Sequence, residues 1–330
     1  MTDSRMGLVR RAGALIVALT CSALPVACGG GDGSGGGGGG DEAETLKVGV
    51  IPIADVAPMY LGMDKGFFED EGLTLEPQFA EGGAAIIPSV VSGEYEIGFS
   101  NTTSLIIAAS QNVPVQILTQ GSLGGASPED AWDAVLVEKG SDIRSPQDLE
   151  GKTIAVNTLQ NIGPLTINTV LKKEGADYTK VKYAEVPFPD MNPALEAGRV
   201  DAVFVVEPFV TQGEAAGSRP ILFPYEETVP DLTVATYFTS KPYIEANAAV
   251  VDRFVQAMTR SLEYAQSNED EVRDIVLEYT EIPPEAAKAM SLPQWRADLN
   301  LPTIERTAQL AEEYGFIEEQ PDLDELTGRG

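Results

Sequence analysis

The chain has 330 residues, with 22 Lys and Arg against 51 Asp and Glu, a formal net charge of −29, two cysteines and no histidine. The missing histidine excludes Ser-His-Asp and Cys-His nucleophilic sites and the common zinc sites, and a polyanion of this kind is a poor partner for nucleic acid. Carboxylate chemistry and oxygen-ligated metals stay open, but the sequence carries no EF-hand loop, Walker A loop or GxGxxG run, so neither a cofactor nor a metal is expected.

In chain order, Arg5, Arg10 and Arg11 precede an apolar stretch, Ala12 to Ala27, that ends in small residues before Cys28. Its shortness and basic flank predict a secretory signal peptide over 1–27 rather than a membrane-spanning helix. Leu24-Pro25-Val26-Ala27-Cys28 resembles a bacterial lipobox, whose cysteine receives a diacylglycerol, although Pro25 stands where that pattern prefers Leu. The run from Gly29 to Gly40 is almost pure glycine and cannot bury apolar surface. It predicts a flexible tether over 28–45, with a reach of roughly 20–24 Å for about 16 residues. The expected product is extracytoplasmic, lipid-anchored through Cys28 to the outer face of the cell membrane, and touches the membrane through that lipid only. Cys21 leaves with the signal, so no disulfide and no catalytic cysteine remain.

From Leu46 the chain alternates strand-like and helical stretches. Strands are predicted at Leu46–Ile53, near Leu73–Phe79, at Glu96–Ser100 and at Val113–Gln120, with helices at Ala57–Glu71, Ala84–Ser92 and Thr102–Gln111. Short connections between them argue for a parallel sheet covered by helices on both faces. The pattern restarts with strands at Asp133–Glu138, Lys152–Asn157, Val181–Phe188 and Val200–Val206, and helices at Gly163–Gly175, Asp190–Gly198 and Pro208–Gly217. This second series suggests a second lobe. Val251, Phe254, Val255, Met258 and Leu262 share one helix face, and helices follow at Glu271–Tyr279, Pro284–Met290 and Pro302–Tyr314. These are expected to pack back on the first lobe, giving a first lobe over 46–122, a second over 123–235 and a return to the first over 236–330.

The residues at this point resemble a known family: the SsuA-like substrate-binding proteins of ABC importers for sulfonates, taurine, nitrate and thiamine-pyrimidine precursors. The resembling stretches are Val50-Ile51-Pro52 leading to Ala57-Pro58, Gly66-Phe67-Phe68-Glu69, Gly82-Gly83, Ser92-Gly93-Glu94-Tyr95-Glu96, Asp148-Leu149-Glu150-Gly151-Lys152, Ala197-Gly198-Arg199-Val200-Asp201 and Glu207-Pro208-Phe209. The resemblance implies a type 2 periplasmic-binding-protein fold: two α/β lobes, each a doubly wound sheet, two hinge crossings, and a ligand in the cleft with closure on binding. It also implies a small-molecule ligand, an ABC permease as partner and no catalysis. Some relatives of the family build the pyrimidine from their own active-site histidine, and this chain has none.

In doubly wound sheets ligands sit past the carboxyl ends of the strands. That rule selects Asp55 and Ala57 after the first strand, Gly82 and Gly83 after the second, and Ser100, Asn101, Thr102 and Thr103 after the third. In the second lobe it selects Asn157, Thr158 and Gln160, and Glu207. The 100–104 turn is hydroxyl-rich at a helix start, where backbone N–H groups and the helix dipole can hold an oxyanion or simply be capped. The selected loops carry carboxylates and no basic residue, which tilts the ligand slightly toward a neutral or cationic heteroaromatic. Tyr60, Phe188, Phe209, Tyr237 and Phe238 are the aromatic candidates for stacking, each with a competing role in the core.

The expected function is therefore a monomeric, lipid-anchored protein that binds a small polar metabolite in an interlobe cleft and delivers it to an ABC importer. A ligand-sensing signalling module of the same fold is the alternative. A secreted hydrolase with paired carboxylates is the other, though no motif supports it.

Overall fold

The computed structural model describes residues 43–330. The expected signal peptide, Cys28 and nearly all of the tether lie outside them.

The first sheet is built from β1 (Glu44–Val50), β2 (Leu73–Phe79), β3 (Ile97–Asn101) and β4 (Val115–Leu123), with a late strand, β10 (Thr233–Ser240), in the order β2-β1-β3-β10-β4. The second holds β5 (Asp133–Val137), β6 (Thr153–Val156), β7 (Lys182–Glu185), β8 (Ala202–Val206) and β9 (Arg219–Leu222), in the order β7-β6-β8-β5-β9. The sheets are mixed rather than wholly parallel. β10 runs against both β3 and β4, and β5 runs against β8 and β9. Each reversed strand is the one that has just arrived from the other sheet, so it enters from the opposite end. The inner strands β3, β5, β8 and β10 are buried at every residue, as expected where helices cover the sheet on both sides, while the edge strands β2 and β7 are partly exposed.

Helices α1 (Ala57–Asp64), α2 (Phe67–Asp70), α3 (Gly83–Val91) and α4 (Thr102–Ser110) belong to the first lobe. In the second lobe are α5 (Ile162–Lys173), α6 (Phe188–Glu196), α7 (Phe209–Ala216) and α8 (Pro224–Thr228). The single helix expected over 57–71 is divided, because Gly66 adopts a left-handed φ of 74° and ends one segment before the next begins. β9 and α8 answer to no sequence expectation.

After β10 come α9 (Lys241–Ser267), α10 (Glu269–Tyr279), α11 (Pro284–Ala289), α12 (Leu301–Glu313) and α13 (Leu323–Leu326). The periodic face of α9 is in the core: Phe254, Met258 and Leu262 are fully buried, and Phe254 packs against Phe68 and Tyr237. α9 and α10 lie on α1, and α12 lies on α4, while α11 reaches α7 of the second lobe.

Two segments join the sheets, from Leu123 to Asp133 and from Leu222 to Thr233. They run side by side: Gly124 N–H donates to the Leu232 carbonyl at 2.9 Å and Asp231 N–H to the Gly125 carbonyl at 3.2 Å. Trp132 is fully buried beside them, its Nε1 donating to the Leu123 carbonyl. A carboxyl pair is buried here as well. Glu226 accepts the Gly125 N–H at 2.7 Å and Asp133 accepts the Tyr225 N–H. Burial, reinforced by the Glu226 charge, holds Asp133 well above the usual carboxylate range, and burial raises Glu226 too.

Candidate functional site

The carboxyl ends of the parallel strands from the two lobes face each other. The Ala54 N–H, just past β1, donates to the carbonyl of Glu207, just past β8, at 3.0 Å. Gly82, at the start of α3, lies against the second lobe so closely that a Cβ there would sit 2.8 Å from Thr158 Oγ1 and 3.1 Å from Asn157 Nδ2. Lys172 of α5 also pairs with Glu313 of α12. The lobes are thus closed on one another.

Between them lies a cavity of about 250 Å³, lined by 51–53 and 79–81 of the first lobe and by 187–189 and Phe209 of the second. Its walls are mainly apolar, with Glu81 the one ionisable side chain among them. Phe188 and Phe209 stack with centroids 6.0 Å apart and planes 9° from parallel. Phe79 closes the other side and is 56% exposed, a large open surface for a phenylalanine at a strand end.

The sequence-selected residues divide into three groups. The first is engaged by the fold. Asn101 caps α4, accepting the Ser104 N–H at 2.9 Å. Thr102 donates to the Thr233 carbonyl at 2.9 Å. Ser100 lies against Gly83, where an added Cβ would be 2.2 Å from Ser100 Oγ. Asn157 accepts from Asn161, the cap of α5, and Ala57 is buried in the first turn of α1. The second group stands where the lobes meet or nearby: Gly82 with Thr158, while Gln160 on the same loop as Thr158 is exposed. The third holds buried polar groups with unused capacity. Thr103 Oγ1 has no partner. Asp55 accepts from Ser122 at 2.6 Å through one oxygen, while the other is unpartnered.

Glu207 is the most connected of the set. Its carboxylate accepts from the Thr211 hydroxyl at 2.7 Å, from the Thr211 N–H, and across the lobes from the Ser291 N–H at 3.1 Å. Burial pushes the carboxyls of Asp55 and Glu207 up to about 7, against the pull of their hydrogen bonds. Neither is among the cavity-lining residues.

Of the aromatic candidates, Phe188 and Phe209 line the cavity. Tyr237 and Phe238 are fully buried, and Tyr60 stacks on Tyr279 at 4.1 Å. The strand-end rule also selects the 187–191 loop, whose Pro187 and Pro189 line the cavity. Sequence reasoning passed over Phe79 as a wall residue, although it stands at the carboxyl end of the parallel strand β2. Among the described residues no three His, Cys, Asp or Glu side chains gather as a metal site, and no helix is long and apolar enough to cross a membrane.

The chain is 24% identical over 222 residues to the formylaminopyrimidine-binding protein of Halalkalibacterium halodurans, over 66% of this chain and 65% of that one. It is 28% identical over 198 residues to the taurine-binding periplasmic protein of Escherichia coli, over 59% and 58%. These matches span less than two thirds of the length of either relative. The crystal structure of the alkanesulfonate-binding protein SsuA from Xanthomonas axonopodis pv. citri superposes with a TM-score of 0.71 at 16% identity, covering 85% of this chain and 96% of that one. That likeness, with two five-stranded sheets, shows the two-lobed periplasmic-binding-protein fold. A family model described as NMT1/THI5 like matches residues 53–272, more than half of the sequence, and the chain belongs to the NMT1/THI5-like family.

Proposed function

We propose that this chain is the solute-capture component of an ABC importer, an extracytoplasmic protein that encloses a small molecule between its lobes and passes it to a permease. The observation that carries the reading is the apolar cavity at the meeting of strand ends from both lobes. Relatives named for formylaminopyrimidine and taurine binding support the same role. Capture needs only that the solute bind the closed arrangement better than the open one, so no catalytic group is required. In this reading Gly82, the 157–160 turn with Thr158, and Glu207 form the seam that closes, and the 100–104 turn stands behind it. Cys28 carries the lipid that keeps the protein at the membrane.

The test is thermal shift with small-angle scattering on the purified protein against taurine, methanesulfonate, nitrate, 4-aminopyrimidine and riboflavin. A raised melting temperature together with a smaller radius of gyration for one of them is expected. A radius that no solute changes would sink the capture reading. For the anchor, Cys28→Ala should release the protein from the membrane fraction into the soluble one.

A further inference from the structure

We infer that the hinge carries a proton switch: Asp133 and Glu226 share one proton that fastens the two connecting segments together, and its loss loosens them. Asp133 closes the segment that leaves the first sheet, and Glu226 belongs to the segment that returns. The carboxyls lie within hydrogen-bond reach of each other. Each has one oxygen held by a backbone N–H, Glu226 by Gly125 at 2.7 Å and Asp133 by Tyr225 at 3.3 Å. The second oxygen of each, Asp133 Oδ1 and Glu226 Oε2, is buried and meets no N–H or O–H donor. One proton completes such a pair: the protonated carboxyl donates to the ionised one, and a single negative charge stays in the site instead of two.

The surroundings offer no cation to replace the proton. Titratable neighbours are Glu227 and the Tyr225 phenol on α8, Asp55 beyond β1, Asp130 and Asp231 on the connecting segments, Glu207 past β8 and the exposed Glu214 on α7. The cations on the packed elements are engaged elsewhere. Lys172 pairs with Glu313, Lys173 donates to the Glu227 carbonyl, Arg219 donates to the Ser141 and Ile143 carbonyls, and Arg296 pairs with Asp231. Burial first, then the neighbouring charge, raises Asp133, and burial raises Glu226. A raised carboxyl holds its stabilisation below the unfolded value and gives it up as pH climbs through the folded one, so this pair fastens at low pH and releases at high pH. Release acts on the weakest part of the hinge. Gly124 and Gly125 bring no side chain to the first segment, which is held there by the Leu232 and Asp231 backbone bonds and by Glu226. When the proton returns to solvent, two like charges repel in a buried site, and Glu226, the less deeply buried of the two, turns outward and frees the Gly125 N–H.

The test is hydrogen exchange of the full chain without solute, read by mass spectrometry over 123–133 and 222–233 from about pH 5 to about pH 9 and divided by the intrinsic rate at each pH. Protection of the two segments should fall together, by roughly tenfold to a hundredfold across that range. Glu226→Gln and Asp133→Asn each put an amide N–H where the shared proton was, and the amide keeps it at every pH. Each variant should therefore hold both segments within about threefold of the wild-type low-pH protection throughout. Wild-type protection that is flat with pH overturns the inference, as does an equal fall in the amide variants. Protection already lost in the variants at the lowest pH would show a merely structural pair and overturns it too. If one variant fails to fold, the other and the wild-type profile decide. No solute enters the measurement, so failure here leaves the capture reading standing.

Discussion

The hydroxyl-rich turn at 100–104 and the proline- and phenylalanine-rich turns at 187–189 and 207–209 occupy equivalent places, each past the carboxyl end of a parallel strand. Their fates differ. In the first, Asn101 and Thr102 are hydrogen-bonded within the fold and Ser100 is pressed against Gly83. In the second, the rings of Phe188 and Phe209 present a wall to the cavity. Polar composition at a strand end therefore does not measure availability, because a buried hydroxyl must find a partner and the nearest one is usually the protein itself. An apolar ring has no such demand: Phe188 and Phe209 are nearly buried, packed on each other, and still form part of the wall.

The comparison can be broken at several points. The largest effect is expected from Gly83→Ala. The new Cβ would meet the Ser100 backbone at 2.7 Å as well as its hydroxyl, so the turn must shift, with a loss of about 3 kcal/mol read as a lower urea midpoint at constant slope. A tolerated alanine would mean that the turn is looser than its packing indicates.

Next comes pH. The folded pKa values of Asp55 and Glu207 are raised from 3.8 and 4.5 to about 7, so between those limits the native state keeps protons that the unfolded chain has released. Stability is then fully present below about pH 4 for these groups and is lost as pH climbs through 7, at up to about 1.4 kcal/mol per unit per group. Asp133 and Glu226 act in the same direction. A melting temperature roughly 5–10 °C lower at pH 8 than at pH 5.5 is expected by scanning calorimetry, and no decline would show that these carboxyls stay solvated.

Gly82→Ala should be smaller and of another kind. Its Cβ would press on Thr158 across the seam, so affinity for the bound solute should drop about tenfold with the unfolding midpoint of the free protein unchanged. Adding Thr158→Ala should restore part of the loss in the same titration.

The smallest effects sharpen the comparison within the turn itself. Thr102→Val deletes the bond to the Thr233 carbonyl and should cost about 1 kcal/mol. Thr103→Val removes a buried hydroxyl without a partner and should be neutral or slightly stabilising. Weaker solute binding in Thr103→Val, with stability intact, would return this turn to the site.

Much of the fold was legible because apolar runs of strand length alternate with helix-length segments, and because Val251, Phe254, Met258 and Leu262 recur with helical period. The misses have physical causes. Gly66 sits inside an otherwise helical pattern, and only its left-handed φ reveals that the helix is cut there. β9 begins Arg219-Pro220 and spans four residues, too short for alternation to declare itself. The site was legible in position, since strand ends of both lobes do meet, but not in chemistry. Whether Phe209 belongs to a core or a wall, or whether Thr102 faces a solute or the Thr233 carbonyl, depends on a facing surface more than a hundred residues away in some cases, and no local pattern records it.

The two connecting segments bond to each other through Gly124 with Leu232 and Asp231 with Gly125. Stitched in this way, they must bend together, as one short ribbon rather than two independent wires. Sliding of one lobe past the other would stretch both bonds at once, whereas swinging about a line across the ribbon leaves them intact. The molecule is therefore built as a door on a single pivot, and its opening has a direction as well as an extent.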